Sequence, residues 1–122
     1  MKLFFTLSLV SLLMVGTVQA QSLKSNMKAS EKILKQIGAS MNDASRNQEN
    51  AVNAGKMVTA FETMKAQSPD AGSFSEYQGL MDQSIAIFKE LESAFKNNDN
   101  KAVLSLMQKI NTAKKEGHDK FK

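Results

Sequence analysis

Residues 68–95 read SPDAGSFSEYQGLMDQSIAIFKELESAF, and the fold class can be inferred from this stretch. After the break around Pro69 and Gly72, apolar side chains return every three or four residues from Phe74 to Phe95. That period is typical of the buried face of a long α-helix, whereas a strand alternates every second residue. Pro69 cannot continue a helix and Gly72 loosens the chain, so we expect the preceding helix to end here.

The same helical period recurs in three other stretches. They run from about Ser22 to Asn42, from about Arg46 to Gln67 and from about Asn100 to Phe121. Polar breaks at 42–45 and 97–100 separate them and supply side chains that can cap a new helix. Because such short connections make consecutive helices antiparallel, the sequence predicts an all-α, up-down-up-down four-helix bundle. The apolar positions are Leu23, Met27, Leu34, Ile37 and Met41 in the first stretch, Val52, Met57, Phe61 and Met64 in the second, and Val103, Leu106, Met107, Ile110, Ala113, Gly117 and Phe121 in the last.

The first residues have the pattern of a secretory signal. A short basic start, Met-Lys-Leu-Phe-Phe, is followed by an apolar run through Val15 and by modest or small residues at 18–20. The pattern predicts a signal peptide over residues 1–20, cleaved after Ala20, and one bundle domain over residues 21–122. The apolar run is too short to span a bilayer comfortably and no second run follows it. We therefore expect export to the periplasm, with no membrane insertion after cleavage.

Composition excludes several classes of function. The chain has no cysteine, which rules out disulfides and a covalently attached c-type haem, and its only histidine is His118. One histidine without cysteine removes most hydrolytic triads and most zinc sites, so we expect no enzyme. Without Lys2, the remaining 15 basic and 12 acidic residues give a net charge of +3. Because these charges are mixed along the chain, we expect no nucleic-acid partner.

Topology brings two potential iron ligands together. In a bundle with an even number of antiparallel helices, the first helix begins and the last helix ends at the same end. Met27 lies near the predicted mature N-terminus and His118 near the C-terminus, so at about 1.5 Å rise per residue their heights are similar. We expect Met27 in the apolar stripe of its helix and His118 on or beside the inward face. A thioether and an imidazole can together ligate haem iron. However, such a methionine is more often core, and such a histidine more often complements the helix dipole, so spacing alone leaves haem a minority hypothesis.

Both ends of the predicted mature chain resemble the cytochrome b562 family. Residues 23–27, Leu-Lys-Ser-Asn-Met, are similar to the family's Leu-x-x-Asn-Met opening, and residues 118–122, His-Asp-Lys-Phe-Lys, are similar to its His-x-Lys-aromatic-basic close. The resemblance spans the whole of this region, but only the two end motifs are specific. It implies a periplasmic electron carrier that binds one non-covalent haem b, an iron protoporphyrin IX, with Met27 and His118 as axial ligands.

The departures from the family concern the haem pocket. The family's haem-packing phenylalanine pair is replaced by Tyr77 and Met81, and an arginine one turn before the histidine is replaced by Lys114. We retain Met81 as a candidate pocket residue, and we expect a monomer that exchanges electrons with redox partner proteins. Two alternatives stay open. One is a haem-free periplasmic bundle that binds proteins or stress ligands, and the other is a small-ligand carrier in which Met27 merely lines the interior.

Overall fold

The computed structural model describes residues 22–69 and 71–121, and in these residues it is a four-helix bundle without strands. The predicted all-α, antiparallel fold class is therefore confirmed. The predicted signal peptide, residues 1–20, lies outside the described residues, as do Gln21, Asp70 and Lys122. The helices are α1 (Leu23–Ser40), α2 (Asn47–Lys65), α3 (Phe74–Lys96) and α4 (Asn100–Phe121), with a short 3₁₀ helix (Ala44–Arg46) before α2.

Three of the four helices begin at a side-chain cap. The side-chain oxygen of the preceding residue accepts the backbone N–H three positions later: Ser22 for α1, Ser73 for α3 and Asp99 for α4. Those N–H groups have no partner within the helix, so each cap stabilises a helix start. Before α4, Asn98 adopts a left-handed backbone with φ of 56°, which asparagine tolerates better than most residues and which separates α3 from α4.

The break between α1 and α2 differs in detail from the prediction. Asp43 is the capping residue, but it caps the 3₁₀ helix, with its carboxylate accepting the Ser45 N–H at 3.1 Å. The helix α2 then begins at Asn47, and α1 ends at Ser40. Each of these predicted boundaries was off by one or two residues, because terminal turns tighten or fray.

The buried face of α2 is more polar than the sequence pattern suggests. Val52, predicted on that face, is 60% exposed. Asn50 and Asn53 are buried instead, beside Ala51 and Ala54. The prediction for Val52 was wrong because Val52 is five residues before the buried Met57, which puts it about 140° around the helix from that side chain.

Two clusters of buried side chains fill the bundle. The main core extends through all four helices around Ile37, Met57, Phe88, Leu91 and Val103. A second set, called here the end cluster, consists of Met64, Tyr77, Leu80, Met81, Ala113 and Phe121. The end cluster lies where α2 and α4 end and α3 begins, and Leu23 at the start of α1 packs against it.

Side-chain bonds fix the antiparallel register of α1 and α4. At the end of the bundle opposite the end cluster, Asn100 Nδ2 donates to the Met41 carbonyl at 3.0 Å and to Asn47 Oδ1 at 3.1 Å. The start of α4 is thereby attached to the end of α1. The backbones of α2 and α3 lie close together over much of their lengths, whereas those of α1 and α4 do so at few positions. We call the boundary between α1 and α4 the α1–α4 seam; it is the least closely packed boundary between neighbouring helices.

Candidate functional site

An ion pair between α1 and α4 shows the relative height of Met27 and His118. Lys114 Nζ of α4 lies 3.3 Å from Glu31 Oε1 of α1. Met27 is one turn before Glu31, and His118 is one turn after Lys114. Because α1 and α4 run in opposite directions, both steps lead towards the same end of the bundle and cover the same distance, about 6 Å. The two potential ligands therefore lie at matching levels on neighbouring helices.

The side of α4 on which His118 lies follows from a second contact. Asn100 and His118 are 18 residues apart, which is five turns of an α-helix, so they share one flank. Asn100 reaches across to the end of α1 through its bond to the Met41 carbonyl. His118 therefore belongs to the flank of α4 that is directed to α1.

The side chains of Met27 and His118 are both accessible. Met27 is 42% exposed, and His118 is also exposed. The expectation that the Met27 side chain is buried is wrong: Met27 is only about 20° around α1 from the buried Leu34, but it lies near the start of the helix and stays exposed, one turn before Glu31, which reaches α4. His118 lies beside the inward face rather than on it. Both side chains therefore lie along the α1–α4 seam, where a bound ligand can reach them.

Met81 and Tyr77 lie in the end cluster, which borders this part of the seam. Met81 is 6% exposed, so its placement is consistent with a residue that lines the interior. Tyr77 is completely buried, and its hydroxyl donates to the Met64 carbonyl near the end of α2. Burial raises the pKa of the Tyr77 phenol to about 12, because the charged phenolate is poorly solvated there. The phenol is thus held neutral and bonded to α2.

Close packing around two glycines holds the last turn of α4, which carries His118. A Cβ at Gly117 would lie 2.9 Å from Leu80 Cδ2, so this position allows α4 to approach α3 closely. Gly72 has φ of +85°, and a Cβ there would lie 2.7 Å from the Phe121 ring. The Phe121 ring also packs edge-on against Tyr77, with centroids 5.6 Å apart. Sequence reasoning treated Gly72 only as a helix break, and its contact with Phe121 is a feature of the tertiary structure.

Other kinds of site are not visible in residues 22–69 and 71–121. This part of the chain contains no group of three or more His, Cys, Asp or Glu side chains that could hold a metal ion. Two surface depressions lie away from Met27 and His118: one is lined by residues including Glu90, Asn97 and Leu106, the other by residues including Glu62 and Asp82. None of the helices α1–α4 is long and apolar enough to cross a membrane.

The two potential ligand groups at the α1–α4 seam, the Met27 thioether and the His118 imidazole, suit one class of cofactor. A single thioether and a single imidazole are too few ligands for a protein-bound zinc or di-iron site. They are sufficient for haem, because the porphyrin supplies the four equatorial nitrogens and the protein needs to supply only axial ligands. The fold and the site together define an antiparallel helical bundle with a potential Met/His haem site at one end.

Comparison with known families agrees with this class. The family model described as cytochrome b562 matches residues 22–122, so the chain belongs to the cytochrome b562 family. This is a family of haem-binding electron-transfer proteins rather than enzymes. Comparisons with curated proteins and with solved structures each gave no match.

Proposed function

We propose that this chain is a periplasmic electron carrier that binds one haem b non-covalently, as a monomer, with Met27 and His118 as the axial ligands. The observation that carries the proposal is the shared level of the two residues, each one turn from the Glu31–Lys114 ion pair. Family membership supports haem binding and electron transfer in general. The assignment of the ligands, the periplasmic location and the monomeric state are part of the proposal.

The proposed haem site is the α1–α4 seam. Haem requires a flat space between helices, and α1 and α4 are the neighbouring helices whose backbones lie close together at the fewest positions. Insertion also brings the exposed Met27 side chain out of water, which favours the bound state. Five lysines of α4 and four of α1 give this side of the bundle a positive potential, which suits the two anionic propionates of haem b.

The residues have distinct roles in this proposal. Met27 contributes a thioether sulfur and His118 a ring nitrogen, while Met81 and Tyr77 close the interior side of the pocket against water. Bound haem supplies a one-electron iron couple, and Met/His ligation raises its reduction potential. With Met27 and His118 both ligating the iron, no position would stay open for a substrate, and electron transfer is the function this ligand set favours.

An absorption spectrum of the purified protein after addition of haem tests the proposal. We expect sharp, split visible bands on reduction, because two strong-field axial ligands give low-spin iron. His118→Ala should abolish these bands and Met27→Ala should alter them. Gln108→Ala on the exposed side of α4 and Leu104→Ala, which removes another exposed apolar side chain, are the matched controls and should leave the spectrum unchanged. Bound haem should also raise the melting temperature of wild type, since it binds the folded state only.

The alternative is a haem-free bundle that binds a protein or a small ligand. The exposure of both Met27 and His118 is the observation in its favour. This alternative predicts that the protein is colourless once unbound haem has been removed by gel filtration, and that neither Met27→Ala nor His118→Ala affects its ligand binding. A six-coordinate spectrum that both substitutions leave intact would also contradict the ligand assignment.

A further inference from the structure

Charge is distributed unevenly between the two sides of the bundle. The helix α1 carries four lysines and one glutamate, and α4 carries five lysines, one glutamate and one aspartate, so each has a net charge of +3 with His118 neutral. The helix α2 is neutral, with two lysines and two glutamates, and α3 is −2, with two lysines, three glutamates and one aspartate. The chain is thus only mildly basic overall but strongly polarised across the bundle.

The positive charge of α1 is exposed and lies beside α4. Lys28 and Lys35 flank Glu31 on the helix surface, three residues before and four residues after it, and Glu31 is the residue that reaches α4. All nine lysines of α1 and α4 are exposed, and among the described residues Lys28 and Lys32 form no ion pair. We call the exposed surface of α1 and α4 the basic face; it surrounds Met27 and His118.

We propose that the basic face is the docking surface for an acidic redox protein. That the partner is a redox protein rests on the proposed function, but the sign of its surface charge follows from the lysines alone. Complementary charge steers two proteins into the orientation in which these faces meet, and it accelerates association by 10-fold to about 1000-fold at low salt. Docking here brings the partner to the seam that contains the proposed haem ligands.

The basic face suits a protein better than a lipid surface. Helices that bind in a membrane interface combine basic residues with several large apolar side chains that enter the bilayer. On α1 and α4 the exposed large apolar side chains are Met27 and Leu104 alone among the described residues, and they belong to different helices. The face therefore offers charge for a complementary protein surface but little apolar area for insertion.

The test uses the haem-loaded protein and a plant-type [2Fe–2S] ferredoxin, chosen as a small acidic electron donor of low potential. Stopped-flow absorption gives the second-order rate of haem reduction from about 0.01 M to about 1 M ionic strength, over which the screening length falls from about 30 Å to about 3 Å. We expect the rate to fall at least 10-fold across this range. The double variant Lys28→Gln/Lys32→Gln should be about threefold slower or more at low salt and equal to wild type at high salt.

A matched variant makes the result specific to the basic face. Lys56→Gln/Lys89→Gln removes the same charge from exposed positions on α2 and α3 and should stay within about 1.5-fold of wild type. A rate independent of salt, or equal slowing by both double variants, would overturn the proposal.

A second measurement needs no haem. We expect NMR spectra of the ¹⁵N-labelled haem-free protein to change on addition of oxidised ferredoxin, with the shifted or broadened signals belonging to residues of α1 and α4. Changes confined to residues of α2 and α3, or no changes, would contradict docking at the basic face. Binding to vesicles of anionic phospholipid without binding to ferredoxin would show that the face serves a membrane and would equally overturn the proposal. A protein that takes up no haem yet binds ferredoxin on α1 and α4 refutes the proposed function while supporting the docking surface.

Discussion

Substitution of Gly72 by alanine tests how the last turn of α4 is held. The left-handed backbone at Gly72, with φ of +85°, costs a non-glycine residue about 1–2 kcal/mol. The new Cβ would also lie 2.7 Å from Phe121 Cδ1 and 3.0 Å from the Lys120 carbonyl oxygen. Overpacking of this kind typically costs about 1–3 kcal/mol, and here one of the two neighbours is backbone that cannot rotate away.

The gain from a stiffer unfolded chain, about 0.4–1 kcal/mol, offsets only part of these costs. We therefore expect Gly72→Ala to lower the free energy of unfolding by about 2 kcal/mol, which corresponds to a fall of about 8–16 °C in Tm for a domain of this size. Haem affinity should fall as well, because His118 is in the turn that Phe121 anchors.

Thermal and urea unfolding followed by circular dichroism at 222 nm measure the effect. Gly79→Ala is the matched control, since Gly79 is exposed within α3 and a Cβ there meets nothing within 4 Å. That change should stabilise the protein by about 0.5–1 kcal/mol through helix propensity. If Gly72→Ala is as stable as wild type, or more stable, the contact between Gly72 and Phe121 does not hold α4 as described.

Two further substitutions test buried polar groups. Tyr77→Phe removes the bond to the Met64 carbonyl and should destabilise the protein by about 1 kcal/mol at pH 7. Burial raises the Tyr77 pKa to about 12, above its ordinary value near 10. Wild type should therefore lose stability relative to Tyr77→Phe as pH rises from about 10 through 12. Urea unfolding in which the two proteins keep a constant difference in the free energy of unfolding over this range would refute this. Ser30→Ala removes a buried hydroxyl that has no partner among the described residues and should raise the free energy of unfolding by about 1 kcal/mol. Ser40→Ala is its control and should have the opposite sign, since the Ser40 hydroxyl donates to the Gln36 carbonyl; equal effects of the two changes would contradict the assignment.

The helices and their order follow from local sequence features. The repeat of apolar residues from Phe74 to Phe95 and the caps at Ser22, Ser73 and Asp99 act within a few residues of each other, so no tertiary contact is needed to locate α1, α3 and α4. Topology then places Met27 and His118 at the same end of the bundle. The candidate ligand pair could therefore be predicted from the sequence. Spacing alone left it a minority hypothesis, and the two end motifs that resemble the cytochrome b562 family favoured it.

Packing between the helices determines how far the edges of each buried face are covered. An apolar stripe is wide, and whether a residue at its edge is covered depends on how closely the neighbouring helix approaches. Met27 belongs to such a stripe, about 20° around α1 from the buried Leu34, yet it is 42% exposed because no neighbouring helix covers that part of α1 among the described residues. Val52 is a different case, since it lies about 140° around α2 from Met57 and its exposure follows from helical spacing alone. The fit of Phe121 against Gly72 likewise joins residues that are distant along the chain. Periodicity fixes the faces of single helices, but the angles and distances between helices come from packing, which no single stretch of sequence encodes.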